Sequence, residues 1–438
     1  MKTILFCNNR FPSVPVWLFA VVAVFFVLGS GGAERDERRS DVLTFQGDRQ
    51  VAPSSLPGNS FHVLLNRRSA SGNALQSNVQ PAKYAVILRS VDPVERALFQ
   101  DAENGRWEQF DLFRAAMVAE GIRDIEFIRT HEARLDALVA QVTALHGNTS
   151  AQNLTRALFE AMHKELLTQP YDLHCTELSK VMLTGHFNCV SATILFNCLA
   201  EKAGINVTAL EMPGHALSRV YFAGGVFTNI ETTCPTWFNL QSEHERHQAT
   251  LARIAPSPGT PTPPTGQNAV SATAEPPADL MTDLMANHRE ITPVQLVATV
   301  YYNIGVDLLA KAKYPEAAAA NVRALYLDQG NEQAWNNLLV SLNNWAIDAA
   351  GRDKQTRLYD LAAFLLDQGV ALDPGYEKFR ANYTFVFHDW IRELALLGRF
   401  EDARKVFALA NAPNRIPNNE HLIRLMNEIN QSEQRLLR

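Results

Sequence analysis

The sequence predicts two folded units, an α+β domain followed by an all-α domain built from repeated helix pairs. In the first unit, helical periodicity gives way to short alternating strands around Ala223-Gly224-Gly225, a hairpin signal. A segment rich in Pro, Thr, Ser and Ala over residues 256–277 then interrupts the chain. Beyond Thr292 the pattern is helical almost to the end, and Tyr301 and Trp335 begin similar segments 34 residues apart.

Composition excludes several classes of protein. Of the 438 residues, 47% are hydrophobic and 20% are charged, which is ordinary for a globular protein and excludes a wholly disordered or polytopic membrane chain. The 40 basic and 46 acidic residues give a formal net charge of −6, which argues against nucleic acid as a partner. Five cysteines are too few for a disulfide scaffold. No metal-ligand spacing or nucleotide-binding loop occurs, so we expect neither a metal nor an organic cofactor.

The N-terminus is predicted to be a targeting segment. Lys2 and Arg10 precede an apolar run over residues 14–28, which is shorter than the ~20 residues of a spanning helix. Residues 1–33 are therefore predicted to be a signal peptide or, alternatively, an uncleaved signal anchor that tethers the protein to a membrane. Either predicts an exported or membrane-anchored protein with the bulk of the chain outside the cytoplasm. Residues 34–82 predict a disordered spacer.

The first folded unit is predicted over residues 83–245 and carries most of the reactive side chains. Asn188 ends a loop, and a helical pattern runs from Cys189 to Gly204. Cys189 is thereby expected at a helix N-terminus, where the dipole and the free N–H groups stabilise a thiolate and can also serve an oxyanion. The side chains of His186 and Asn188 are candidate donors to that oxyanion.

The hairpin after this helix decides which side chains meet. One strand begins at His215, and a return strand follows the Ala223-Gly224-Gly225 turn. If the turn has three residues, Phe222 pairs with Val226, and Glu231 becomes the diagonal neighbour of His215 on the same face. A two-residue Gly-Gly turn would place the two side chains on opposite faces, unless a bulge corrects the register.

These residues resemble the transglutaminase-like branch of the papain-related superfamily. The motifs that carry the resemblance are Cys189 at a helix start, Gly214-His215-Ala216 on the next-but-one element and Glu231 sixteen residues after the histidine. The resemblance covers roughly residues 85–245. It implies a papain-like core, in which a helix bundle packs on an antiparallel sheet.

The resemblance also implies roles for three side chains. Cys189 would be the nucleophile, His215 its base and Glu231 the acid that orients the imidazole, with Asn229 as the competing residue on the same face. Two departures from the family pattern concern efficiency and substrate preference. Glu231 stands where the family has Asp, and Leu217 stands where it has an aromatic residue.

The implied chemistry is acyl transfer on peptide or protein amides. Water resolves the thioester in a peptidase or amidase, whereas an amine resolves it in a transglutaminase, and the three residues do not decide between these outcomes. One alternative is a non-catalytic interaction scaffold that keeps a degenerate core. A weaker alternative is a redox-sensing thiol protein, since Cys175 and Cys234 are interpreted either as a disulfide or as core residues.

A Pro/Thr/Ala-rich linker is predicted over residues 246–292, followed by a repeat domain over residues 293–438. The spacing of Tyr301 and Trp335 resembles that of tetratricopeptide repeats, with three degenerate copies and a capping helix forming a solenoid.

That alignment places Asn303 and Asn337 at equivalent groove-facing positions, and Asn343 lies on the same helix as Asn337. Since amide side chains hydrogen-bond both ends of a peptide unit, the three are candidates for binding a peptide or a protein partner. The alternative is a solenoid that only packs on its neighbouring domain or mediates dimerisation.

Overall fold

The computed structural model describes residues 92–239, 288–351 and 358–437. The predicted targeting segment, the predicted spacer and most of the predicted linker lie outside these residues, and so does the apolar run over residues 14–28. Among the described helices, none combines the length and the apolar character that a membrane-spanning helix needs. The exported or membrane-anchored location stays a prediction.

The described residues combine helices with an antiparallel sheet, as the predicted α+β class requires. In the part of the chain that the structure describes, six α-helices precede the sheet: α1 (Pro93–Asp101), α2 (Leu112–Ala119), α3 (Ile125–His146), α4 (Ala151–Glu165), α5 (Leu178–Thr184) and α6 (Cys189–Lys202). Helix α6 is central, and its residues from Cys189 to Ala200 are all buried. It contacts α2, α3, α4, α5 and the sheet, and also the helix that begins at Pro293. A helix buried on every face is expected only where neighbours cover all of it.

Two side-chain hydrogen bonds hold α6 on the sheet. The hydroxyls of Thr193 and Thr232 lie 2.9 Å apart, and the Ser218 hydroxyl donates to the Asn197 amide oxygen at 2.6 Å. These polar groups are buried, so an unmade bond would leave a costly unsatisfied atom on either element. The bonds therefore fix the position of the middle of α6 relative to the strands.

Four antiparallel strands form the sheet in the order β3-β2-β1-β4. They are β1 (Asn206–Met212), β2 (His215–Tyr221), β3 (Phe227–Ile230) and β4 (Arg289–Ile291). The N–H of Phe222 donates to the carbonyl of Val226 at 2.7 Å, which confirms the predicted three-residue turn. Gly224 and Gly225 have φ values of 77° and 78°, which glycine adopts without strain.

Strand β4 corrects the predicted linker range of 246–292. Arg289–Ile291 pairs with β1, Ala209 standing opposite Ile291. The Arg289 guanidinium also bridges the carboxylates of Glu211 and Asp328. A strand of three residues is too short to give a periodicity signal. Because it follows a segment rich in Pro, Thr and Ala, the sequence pattern assigns it to the linker.

Among the described residues, seven helices follow β4 and pack against their neighbours in the chain. They are α7 (Pro293–Ala310), α8 (Tyr314–Leu327), α9 (Glu332–Gly351), α10 (Tyr359–Leu372), α11 (Glu377–Leu396), α12 (Phe400–Ala410) and α13 (Glu420–Leu436). Each of the helices α7 to α12 contacts the next, while α7 also contacts α9 and α9 also contacts α11. This is the contact pattern of stacked helix pairs.

One apolar core runs through both halves of the described structure. Helix α7 packs against α2, α6, β1 and β4. The Phe99 ring lies 4.9 Å from that of Tyr326, and the Tyr301 hydroxyl donates to the buried carboxylate of Glu95 at 2.8 Å. Arg323 donates to the same carboxylate at 2.9 Å, which compensates the charge where it is buried. The first helix pair is thus joined to the α+β unit by packing and by polar contacts.

Candidate active site

Cys189 is the first residue of α6, as the sequence predicted. Asn188 precedes it in an extended conformation, and its side-chain oxygen accepts a hydrogen bond from the N–H of Ser191 at 3.0 Å. The Ser191 hydroxyl in turn accepts from the N–H of Asn188 at 3.0 Å, which completes a capping box. These bonds fix the start of the helix and place the thiol at the positive end of its dipole.

The predicted register brings His215 and Glu231 together. Nε2 of His215, at the start of β2, lies 2.7 Å from Oε2 of Glu231, which directly follows β3. The other oxygen of Glu231 accepts hydrogen bonds from the N–H and the hydroxyl of Thr233, at 3.0 and 2.6 Å. Asn229 instead accepts a hydrogen bond from Arg219 at 2.8 Å. Glu231, rather than Asn229, is therefore the partner of the imidazole.

The Cys189 thiol contacts the other side of this imidazole. It is hydrogen-bonded to the His215 ring and to the N–H of Ala216. Since Nε2 of His215 is engaged by Glu231, Nδ1 is the ring nitrogen left for the thiol. Cys189, His215 and Glu231 thus form a continuous chain of hydrogen bonds.

Burial and charge act in opposite directions on the three groups. Burial would raise the pKa of Cys189, but the hydrogen bond and charge of His215 outweigh it and hold that pKa below its ordinary value. Burial would lower the pKa of His215, but the charge of Glu231 and the hydrogen bonds raise it well above its ordinary value. For Glu231, the charge and hydrogen bond of His215 outweigh burial and lower the pKa. The site therefore favours a thiolate beside an imidazolium and a carboxylate.

Tyr171 is a site residue that the sequence did not indicate. It lies in the loop between α4 and α5, where its backbone pairs with Phe187 in a parallel bridge. Its hydroxyl is hydrogen-bonded to the Cys189 thiol and accepts from the Cys189 N–H. Burial, followed by the charge at Cys189, raises the pKa of the phenol well above its ordinary value. The hydroxyl thus occupies the position at the helix N-terminus where an oxyanion would bind.

His163 on α4 is a second neighbour that the sequence did not indicate. Its ring lies 4.7 Å from that of Phe159 and donates a hydrogen bond to the carbonyl of Thr232, next to Glu231. Its buried Nε2 has no hydrogen-bond partner within the part of the chain described. Burial lowers the pKa of His163 to about 4, so this imidazole is neutral at pH 7.

We expect His163 to make stability depend on pH. In the unfolded chain its pKa is about 6.5, whereas in the folded protein it is about 4. Between these values the unfolded chain binds the proton and the folded protein does not. The contribution of neutral His163 to the free energy of unfolding is therefore fully present above pH 6.5. It is lost as the pH drops towards 4, by roughly 3 kcal/mol in total.

Urea unfolding at pH 7 and pH 4.5 measures this effect. His163→Asn keeps a donor for the Thr232 carbonyl but cannot titrate, so the difference in the free energy of unfolding between the two pH values should shrink. An unchanged difference in the variant would show that other groups cause the pH dependence.

The two predicted oxyanion side chains are differently engaged. The Asn188 amide donates to the Leu173 carbonyl at 3.1 Å and to the Thr176 hydroxyl at 2.7 Å, so both its hydrogens are used. Asn188 is therefore a helix cap, and the prediction that its side chain serves an oxyanion is not supported. Nδ1 of His186 lies 2.9 Å from the Pro170 carbonyl oxygen, which leaves only Nε2 for another partner.

The other free cysteines described in this unit, Cys175 and Cys198, are buried thiols. Cys175 is a free, buried thiol that donates to the His186 carbonyl at 3.0 Å, so it does not form a disulfide with Cys234. Cys198 is buried, and burial raises the pKa of its thiol well above the ordinary value. Of the free thiols, Cys189 alone has a lowered pKa among the described residues.

The predicted peptide-binding asparagines are engaged within the protein. Asn303 donates to the Thr176 hydroxyl at 3.0 Å and so contacts the α+β unit instead of lining an open groove. Asn337 is hydrogen-bonded to Tyr302. Asn343 is buried and accepts from Asn382 at 2.6 Å. Repeat alignment could not show that α7 would pack on the preceding unit.

The sequence also contains the signal for a further candidate groove-facing asparagine, Asn382. It lies 45 residues after Asn337, which equals the predicted repeat length of 34 residues plus an insertion of eleven residues in the second predicted copy. The repeat alignment thus predicts equivalent positions for Asn303, Asn337 and Asn382, which lie on α7, α9 and α11.

The site is closed in this structure. Cys189 is 7% exposed and His215 is 9% exposed, so neither is open to a large substrate. Within the described part of the chain, no cluster of three or more His, Cys, Asp or Glu side chains is arranged to hold a metal ion. Comparisons of this chain with protein-family models, with curated proteins and with solved structures find no match.

Proposed function

We propose that this protein is a cysteine-dependent acyl-transfer enzyme that acts on peptide or protein amides. The observation that carries the proposal is the hydrogen-bonded chain of Cys189, His215 and Glu231, with the cysteine at the start of α6. A nucleophile, its base and the group that orients the base are thereby within contact of one another.

The chemistry follows from the order of these groups. His215 holds the thiol proton, and the Cys189 thiolate attacks the amide carbonyl carbon to form a C–S bond. The amine leaves with the proton from His215, and a thioester remains on Cys189. Water then releases an acid, or a primary amine releases a new amide, and either step restores the thiol.

Backbone groups of α6 are the best candidates for stabilising the oxyanion. The first N–H groups of a helix have no partner within the helix. The N–H of Cys189 is bonded to the Tyr171 hydroxyl, so a substrate carbonyl would have to displace Tyr171. Tyr171 would then donate to the oxyanion from its new position or leave the site.

We also propose that the α+β unit is a transglutaminase-like domain and that the helices after it are tetratricopeptide-like repeats. The helices around α6 and the antiparallel sheet fit a transglutaminase-like core, and the stacked pairs from α7 onward fit tetratricopeptide-like repeats. In this proposal the repeat helices bind a protein partner or present the substrate. An exported or membrane-tethered location is part of the same hypothesis.

A non-catalytic interaction scaffold is the second candidate function. The observation that favours it is the burial of Cys189 and His215, together with the hydrogen bond between the Tyr171 hydroxyl and the Cys189 thiol. A core retained only as a scaffold has no need of an entrance for substrate.

Mass spectrometry of the full-length protein distinguishes the acyl-transfer enzyme from the non-catalytic scaffold. The protein is incubated with peptide amides and peptide esters, with and without a primary amine, and the Cys189 peptide is examined for an acyl adduct. We expect an adduct and a turnover product in the wild type and neither in Cys189→Ala, while Cys198→Ala behaves as the wild type. Absence of adduct and product in the wild type would favour the scaffold.

A further inference from the structure

We propose that Asn303, on the first helix of the repeat half, is a positioning residue for the nucleophile Cys189 in the α+β half. The inference rests on the proposed function, because it concerns how the thiolate of that site is held. It means that the site is assembled by both halves of the chain.

The buried hydroxyl of Thr176 connects Asn303 to the residue before Cys189. This oxygen accepts two hydrogen bonds, one from the Asn303 amide at 3.0 Å and one from the Asn188 amide at 2.7 Å. Thr176 is 5% exposed and Asn188 is 1% exposed, so water cannot readily replace either bond. Both lone pairs of the hydroxyl are used, which orients its oxygen between the two amides.

The Asn188 amide connects Thr176 to the start of α6. The nitrogen side of the Asn188 amide is fixed by Thr176 and by the Leu173 carbonyl, while its oxygen caps the N–H of Ser191. The plane of this amide is therefore set by three hydrogen bonds. Its orientation determines the geometry of the first turn of α6, and Cys189 is the first residue of that turn.

A second contact attaches the same loop to α7. Nδ1 of His174 lies 2.8 Å from a carboxylate oxygen of Asp307, one helical turn after Asn303. His174 is largely exposed, so this pair contributes less than the buried bonds do. It shows that α7 holds the Thr176 loop at two points.

Substitutions that interrupt this chain of bonds test the inference in the full-length protein. Asn303→Ala removes one bond to Thr176, and Thr176→Val removes the shared hydroxyl with little change in shape. The control is Asn337→Ala, the equivalent position on α9, which bonds to Tyr302 of α7. The readout is the pH profile of Cys189 alkylation by iodoacetamide.

For Asn303→Ala we expect about fivefold slower alkylation at pH 6 and a shift of the profile to higher pH, as the loss of one hydrogen bond implies. Thr176→Val should slow the reaction about tenfold or more, Thr176→Ser should restore it, and Asn337→Ala should stay within about twofold of the wild type. Since Asn303 acts through Thr176, the double variant Asn303→Ala/Thr176→Val should be alkylated at the same rate as Thr176→Val alone.

Two results would overturn the inference. One is a wild-type profile in folded Asn303→Ala. The other is equal slowing by Asn337→Ala, which would indicate a general effect of the repeat helices. These failures differ from failure of the proposed function, in which the wild-type thiol itself would be unreactive at low pH.

Discussion

Replacing His215 by alanine is expected to lower the rate of Cys189 alkylation at pH 6 by about 100-fold or more. The imidazole supplies both the hydrogen bond and the charge that hold the pKa of the Cys189 thiol below its ordinary value. Without it, burial and the carboxylate of Glu231 both act against the thiolate. The thiol should then react only at high pH, where a buried, unassisted cysteine ionises.

The control for this variant is His388→Ala. His388 lies on α11 beside Asp389 and contacts neither Cys189 nor Glu231. Alkylation of Cys189 in His388→Ala should be as fast as in the wild type. Loss of labelling in Cys189→Ala identifies Cys189 as the site of reaction. Equal rates for folded His215→Ala and the wild type would contradict the role given to the imidazole.

Replacing Glu231 by glutamine is expected to lower the acyl-transfer rate by a factor on the order of 10² to 10⁴. Glutamine keeps the size of the side chain but removes the charge that raises the pKa of His215. It can also present an N–H to Nε2, which would favour the wrong tautomer of the imidazole. The measurement is turnover of the best peptide substrate, with thermal unfolding as a test of folding.

Glu290→Gln serves as the matched control for the Glu231 variant. Glu290 is also a carboxylate at the sheet, where it accepts hydrogen bonds from Thr208 and Tyr221. Its turnover should stay within about twofold of the wild type. Full activity in Glu231→Gln would show that the carboxylate does not orient His215 in the reaction.

Features set by local sequence could be predicted. The Gly224–Gly225 pair supplies the positive φ values of the turn, and the two-residue period of the strands then places Glu231 beside His215. The start of α6 follows from a capping residue before an apolar helical pattern. In these cases neighbours in the chain determine the geometry.

Features set by distant contacts could not be predicted. Tyr171 contacts Cys189 because the loop between α4 and α5 pairs with Phe187. The sequence of that loop contains no pattern that predicts this pairing. Asn303 meets Thr176, 127 residues away, because α7 packs on the α+β unit instead of leaving its inner face open. Alignment of single repeats treats each helix pair alone, and it therefore predicts a groove-facing position for this asparagine.

The central claim is that Cys189 and His215 form an activated cysteine–histidine pair. The pH profile of Cys189 alkylation in the wild type, measured beside that of His215→Ala, tests this claim most directly. We expect the rate to rise at a pH well below the ~8.5 of a free thiol, and to lose this low-pH reactivity in His215→Ala. A wild-type thiol that ionises near or above 8.5, with no dependence on His215, would contradict an activated cysteine–histidine pair.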